Sequence, residues 1–205
     1  MSSISNEKHR TDRIIGKRNE GKRTREKKYK EAMRMESERL WMRPFEEADF
    51  SFYKSLVQNE QVMRYINGGV ALSEDEAREW FDRQLERYSD ERQTGFLLLF
   101  KKETNEPIGF AGLLMQEVDG KEELEVGYWL EPKHWKVGYG REAAKRLMME
   151  AFNRGHDRII SIIHPDNRSS QNVARANGLN WEKDTIFKDI PVTIYAGQLS
   201  RLCRN

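Results

Sequence analysis

Cysteine is almost missing from this chain: Cys203 is the single one among 205 residues, which excludes an intramolecular disulfide framework and fits a reducing compartment. Histidine is sparse too. His9, His134, His156 and His164 are scattered, and none pairs with another His or Cys at metal-ligand spacing, so no metal is expected. No apolar run approaches the roughly 18 residues needed to cross a bilayer, and the N-terminus lacks the apolar core of a signal peptide. The expectation is a soluble, cytoplasmic protein with no membrane partner. Net charge is small at +2, but residues 1–34 hold 12 Lys or Arg against 5 Asp or Glu, so a front of +7 precedes a body of −5.

That front, residues 1–35, has too few large apolar side chains to offset its ordering entropy, and is expected to be a basic, flexible arm, partly helical from Thr24. Its charge would allow contact with RNA or the ribosome, although charge runs are more often simply solvated. From residue 36 to 205 the composition is that of one globular domain. "ERLWMRPF" reads as a first strand ended by Pro44, and "EEADFSFYKSLVQNEQVMRYI" as one or two helices. "SEDEAREWFDRQLERYS" opens with a capping box, Ser73 and Glu76, and repeats Ala77, Trp80, Phe81 and Leu85 on one helical face. Residues 95–130 then contain three strand-like stretches separated by "KETNEP" and "VDGKEE", the turn chemistry of an antiparallel meander.

The third stretch, Leu124 to Leu130, runs into "WKVGYGREAAKRLMMEAF". Ala143, Ala144, Leu147, Met148, Ala151 and Phe152 fall on one face of a helix over 140–154, with Met149 out of pattern. "RIISIIH" supplies a following strand, and strand, helix and strand of these lengths make a right-handed βαβ unit with parallel strands. A short helix, "QNVARANG", and two last strands complete the chain. The N-terminal amides of the long helix have no intrahelical partner, Gly138 and Gly140 clear space around them, and Lys136 and Arg141 add positive charge, which together suit a bound phosphate. A plain tight turn is the alternative. A P-loop is excluded for want of G-x-x-x-x-G-K-[ST], and a dinucleotide fingerprint because Ala143 stands where its third glycine belongs.

From about Glu38 to Leu199 the sequence resembles the GNAT superfamily of acetyl-CoA-dependent N-acetyltransferases, in its RimJ/RimL-like branch. The likeness rests on "ERLWMRPFEEADF", "VMRYI", "PIGFAGL", "EVGYWLEPKHWKVGYGREA", "HPDNRSSQNVARANG" and "VTIYAGQL", in order. The resemblance implies an α/β (α+β) fold: a mixed, mostly antiparallel sheet with helices on both faces, splayed open between the strands at 124–130 and 158–163. It implies acetyl-CoA as cosubstrate, with its pantetheine arm on the backbone of Trp129 and Leu130. The pyrophosphate would lie on the amides of Lys136, Val137, Gly138, Tyr139, Gly140 and Arg141, with Asn167 and Asn172 facing the cofactor arm.

Aminolysis of a thioester calls for a base to free the amine and an acid for the leaving thiolate. Glu125, just before "VGYW", matches the acid many members place on that strand; alternation puts it on one face with Gly127 and Trp129, opposite Leu124, Val126, Tyr128 and Leu130. A solvated strand residue is its alternative role. The tyrosine that many members use as acid is replaced by Ala174, and Ser170 matches the serine proposed in this branch, with helix N-capping as its other possible job. Trp41, Tyr65, Trp80 and Tyr195 are expected in the core or an acceptor pocket, and Cys203 has no neighbouring base to activate it. The expected acceptor is a primary amine, either a protein N-terminus or a small molecule. The contrasting possibility is an acyl-CoA-binding or ribosome-associated module that transfers nothing.

Overall fold

The computed structural model describes residues 31–88 and 94–203. Most of the basic arm, with its expected helix from Thr24, lies outside the described residues. The packed body nevertheless begins before residue 36: Met33 and Met35 are buried in the core, and Met35–Glu36 form a first strand, β1. Two residues carry no alternation, so no periodicity announces this strand. β2 (Leu40–Pro44), β3 (Gly95–Lys101), β4 (Pro107–Val118), β5 (Lys121–Leu130), β6 (Arg158–Ile163), β7 (Asn180–Phe187) and β8 (Ile190–Gln198) join it in a sheet of order β1-β2-β3-β4-β5-β6-β8-β7. Every neighbouring pair is antiparallel except β5 and β6.

Local chemistry explains the meander. Val118 pairs with Lys121 across a two-residue loop in which Asp119 and Gly120 both have positive φ, 51° and 73°, the backbone a right-twisted hairpin requires. The helices lying wholly within the described residues are α1 (Phe50–Val57), α2 (Glu60–Met63), α3 (Glu74–Arg87), α4 (Tyr139–Asn153), α5 (Arg168–Ala176) and α6 (Leu199–Leu202). The capping box of α3 forms as expected, with Ser73 Oγ accepting from the Glu76 N–H. Its buried face packs Phe81 against Phe45 and Tyr53 beneath Phe110 of β4, with ring centroids 5.1 to 5.7 Å apart.

On the opposite face, α4 buries Gly140, Ala143, Ala144, Leu147, Met148 and Ala151 against β4 and β5, while Met149 points to solvent. Full burial of a side chain such as Leu147 stabilises by about 1.5–3 kcal/mol, so this stripe fixes the helix, and with it the residues at its N-terminus, on the sheet.

Candidate active site

β5 and β6 touch at one register pair, Glu125 with Ile160. One step further the Ser161 hydroxyl donates to the Val126 carbonyl at 3.1 Å, and beyond it the strands part. The resulting cleft is lined by Glu125, Gly127, Tyr128 and Trp129 from β5, by Ser161 and His164 at β6, by Tyr65 from the helical side, and by Asn167, Ser170 and Asn177 around α5. The expected alternation on β5 is present. Trp129 packs among Phe96, Phe110 and Trp80, and a Cβ at Gly127 would stand 3.7 Å from Glu125 Oε1, whereas the Tyr128 ring turns to α4.

Glu125 is hemmed in by protein, with part of its surface open to the cleft. Burial raises its pKa above the ordinary carboxylate value. The Gln116 amide, which donates to Oε2 at 2.7 Å, pulls it partly back, as do the Lys188 charge and the Ile162 N–H. A carboxylate so placed is a group whose charge is poised rather than solvated.

The capping role that Ser170 could have filled belongs to Asn167, whose Oδ1 accepts from the Ser170 N–H at 3.1 Å. The Ser170 hydroxyl is left beside Tyr128. Burial raises the Tyr128 pKa, and the Ser170 hydroxyl eases it back. Tyr128, His164 and Asn177 have no site role legible in the sequence, because their places depend on strand divergence and not on local pattern. His164 Nδ1 accepts from the Asp166 N–H at 3.1 Å and its ring lies 5.3 Å from that of Tyr65. Asn172 is exposed, its side chain accepting from Arg175, and does not line the cleft.

At the end of β5 the Trp129 carbonyl points toward β4, where an added Cβ on Gly109 would meet it at 2.1 Å, while the Leu130 carbonyl accepts from the Trp135 indole at 2.8 Å. The glycine turn follows. Lys136 and Gly138 adopt positive φ, 62° and 90°, and α4 starts at Gly138 without a side-chain cap. Its first backbone bond runs from the Glu142 N–H to the Gly138 carbonyl, so the amides of Tyr139, Gly140 and Arg141 precede the helical ladder. The two glycines serve different ends. Gly138 takes the left-handed backbone, and Gly140 makes room for Tyr128, whose ring an added Cβ would approach to 2.6 Å.

Arg39, unnoticed in the sequence, clamps this turn. Its Nη1 donates to the Val137 carbonyl at 3.1 Å, its Nε and backbone N–H each donate to Glu142 at 2.7 Å, and its guanidinium lies 4.7 Å from the Tyr139 ring centre. Ser37 adds a third bond to Glu142. Of the expected aromatic residues, Tyr195 is buried, Trp80 and Trp41 are partly buried, and Tyr65 reaches the cleft. Cys203 is half-buried, and burial pushes its thiol pKa up, away from reactivity.

The sheet thus opens beside the half-buried Glu125, with uncapped helix amides and glycine-cleared backbone next to the opening. The fold is that of an acyltransferase. Residues 39–180 match the acetyltransferase (GNAT) domain, and the chain belongs to that family, which draws its acetyl group from acetyl-CoA. It is 27% identical over 155 residues to the uncharacterized N-acetyltransferase p20 of Bacillus licheniformis, covering 75% of this chain and 84% of that one. The acetyltransferase from Agrobacterium tumefaciens superposes with a TM-score of 0.68 at 26% identity, over 80% of this chain and 92% of the other. RimL, a ribosomal L7/L12 alpha-N-protein acetyltransferase solved with coenzyme A, shares the fold with a TM-score of 0.64 at 21% identity, over 79% and 95%.

Proposed function

We propose that this acetyltransferase acts on a primary amine by direct attack in a ternary complex, with Glu125 as base and Ser170 as acid. The observation that carries the reading is the position of Glu125, a carboxylate of raised pKa at the last point where β5 and β6 still pair. Acetyl-CoA supplies an activated acetyl thioester. The uncapped amides of Tyr139 to Arg141, with Lys136, Val137 and Gly138 leading into them, would hold its pyrophosphate. Trp129 and Asn167 would border the arm; Leu130, buried and with its carbonyl taken by Trp135, and the exposed Asn172 do not line the cleft.

Glu125 takes a proton from the acceptor ammonium and passes it to water through the open cleft. The neutral nitrogen then forms the new C–N bond as the C–S bond breaks, and the second proton it sheds returns through Glu125 and cleft water to replace the one Ser170 gives up. Ser170, beside Tyr128, gives its proton to the departing sulfur. A half-buried base selects an acceptor slim enough to enter the cleft past Tyr65 and His164, as an extended peptide N-terminus is. RimL, which has the same fold, acts on the N-terminus of a ribosomal protein, so such peptides belong in the first acceptor screen.

The test is thiol release from acetyl-CoA with N-terminal peptides, polyamines and aminoglycosides. Turnover with a primary amine and loss of kcat in Glu125→Gln are expected. Hydrolysis alone across all acceptors would sink the reading.

A further inference from the structure

Away from the cleft, Glu106, Glu131 and His134 turn three ligand atoms toward one another, all within 4.8 Å. Glu106 lies in the turn between β3 and β4; Glu131 precedes, and His134 ends, the short turn Pro132–His134 that leads from β5 to the glycine turn. His134 Nε2 stands 3.6 Å from Glu106 Oε1 and 3.7 Å from Glu131 Oε2. Ligands at about 2.0–2.2 Å around a tetrahedral ion are separated by roughly 3.4 Å, close to these edges.

A second observation is independent of that spacing. His134 Nε2 is sealed from solvent without a hydrogen-bond partner, and Glu131 Oε2, equally sealed, is met by the Lys133 ammonium at 3.3 Å. A buried nitrogen left this way is costly, and it faces both carboxylates. The resident cation nearby is Lys133, whose Nζ lies 2.7 Å from Glu106 Oε1 and 3.3 Å from Glu131 Oε2. It balances charge on the carboxylates and leaves the imidazole nitrogen unsatisfied.

We propose that Glu106, Glu131 and His134 form a binding site for a divalent transition-metal ion, with Lys133 as the cation it displaces. One imidazole and two carboxylates suit Zn²⁺ better than the all-oxygen ions Mg²⁺ and Ca²⁺. The ion would tie the β3–β4 turn to the segment that enters the glycine turn. The proposal departs from the expectation of no metal, which rested on His and Cys spacings; a Glu-x-x-His with a second Glu some 25 residues earlier in sequence falls outside those spacings.

The experiment is a Zn²⁺ titration of untagged, chelator-stripped protein against a chromophoric competitor, with Co²⁺ absorption as a ligand-field readout. One equivalent is expected to bind. Glu131→Gln and His134→Ala weaken binding about tenfold or more, and Lys133→Gln tightens it several-fold by removing the competing charge. His156→Ala, at an exposed site elsewhere, leaves it unchanged. Far-UV circular dichroism checks each variant's fold, and Glu106→Gln carries the same test should His134→Ala fail to fold. Absence of binding at about 0.1 mM free Zn²⁺, or equal binding by wild type and the ligand variants, overturns the site.

Discussion

The glycine turn and the strand gap lie next to each other but are made of different material. The turn is backbone: left-handed residues, uncapped amides and an exposed clamp, Arg39, 46% of whose side-chain surface remains accessible. The gap is side chain: Glu125 and Tyr128, whose pKa values burial raises, and Ser170 beside them. An anion can be held by amides in water, whereas proton transfer near neutral pH needs a group taken out of water. Damage to the gap should therefore appear in rate, and damage to the turn in affinity for acetyl-CoA.

The largest effect is expected at Glu125. Glu125→Gln should lower kcat by about 10²–10⁴-fold while acetyl-CoA affinity, read by fluorescence titration, stays close to wild type. Its pKa is raised in the folded state, so the wild-type rate should fall as pH drops through a value above that of an ordinary carboxylate, and this acid limb should be missing from the residual activity of Glu125→Gln. Lys188→Met, which deletes a charge holding that pKa down, should move the limb further alkaline. Stability runs the other way. The folded state binds this proton more tightly than the unfolded state, so stability declines as pH rises from the unfolded to the folded pKa, and Glu125→Gln should raise Tm above that window. A variant that lost affinity and rate equally would erase the distinction between the two regions.

Gly140→Ala strikes where the regions meet, because the new methyl group would lie 2.6 Å from the Tyr128 ring, which itself lies beside Ser170. Overpacking of this kind costs about 1–3 kcal/mol and should lower Tm by several degrees. Both kcat and the KM for acetyl-CoA should suffer. If KM alone rose, Tyr128 would have no hold on the chemistry, and the boundary between turn and gap would be sharper still.

The same contrast governs what the sequence disclosed. The meander turn at Asp119 and Gly120, the capping box of α3 and the buried stripe of α4 are written in neighbouring residues and were read with bounds off by about a residue for α4. Glu125 and Ser170 came from resemblance, and the structure adds the environment of each. Arg39 could not be read at all: its partner Glu142 is 103 residues away, and an arginine in the turn between β1 and β2 has no local signature for such a contact. Tyr128 was hidden similarly, since alternation places it on the face away from Glu125 and only the parting of β5 and β6 lets both faces border one cleft. Met33 and Met35 escaped because they follow a charge run that masks them.

Arg39→Ala tests the turn alone and should do less. Its ion pair with Glu142 is solvent-screened, and such pairs contribute about 0–1 kcal/mol, so Tm should barely move. The bond to the Val137 carbonyl and the contact with Tyr139 also go, which loosens the backbone that presents the amides. The KM for acetyl-CoA should rise about threefold with kcat unchanged, roughly 0.6 kcal/mol of binding. A fall in kcat without a change in KM would assign Arg39 to the chemistry and contradict the division.

The smallest effect is expected at Lys136, where two contributions oppose. Its φ of 62° is left-handed, a conformation that costs an L-residue with a Cβ about 1 kcal/mol and glycine almost nothing. Lys136→Gly therefore relieves strain in the folded state, but it also frees the unfolded chain, and the two nearly cancel, leaving a change in Tm of about a degree in either direction. The lost ammonium acts only on the anion. Exposed as it is, the charge contributes through a screened field, so acetyl-CoA affinity should fall about twofold at low salt and converge with wild type near 0.5 M salt. A salt-independent loss would mean that Lys136 shapes the turn more than it charges it, and the backbone character of this region would then depend on a side chain after all.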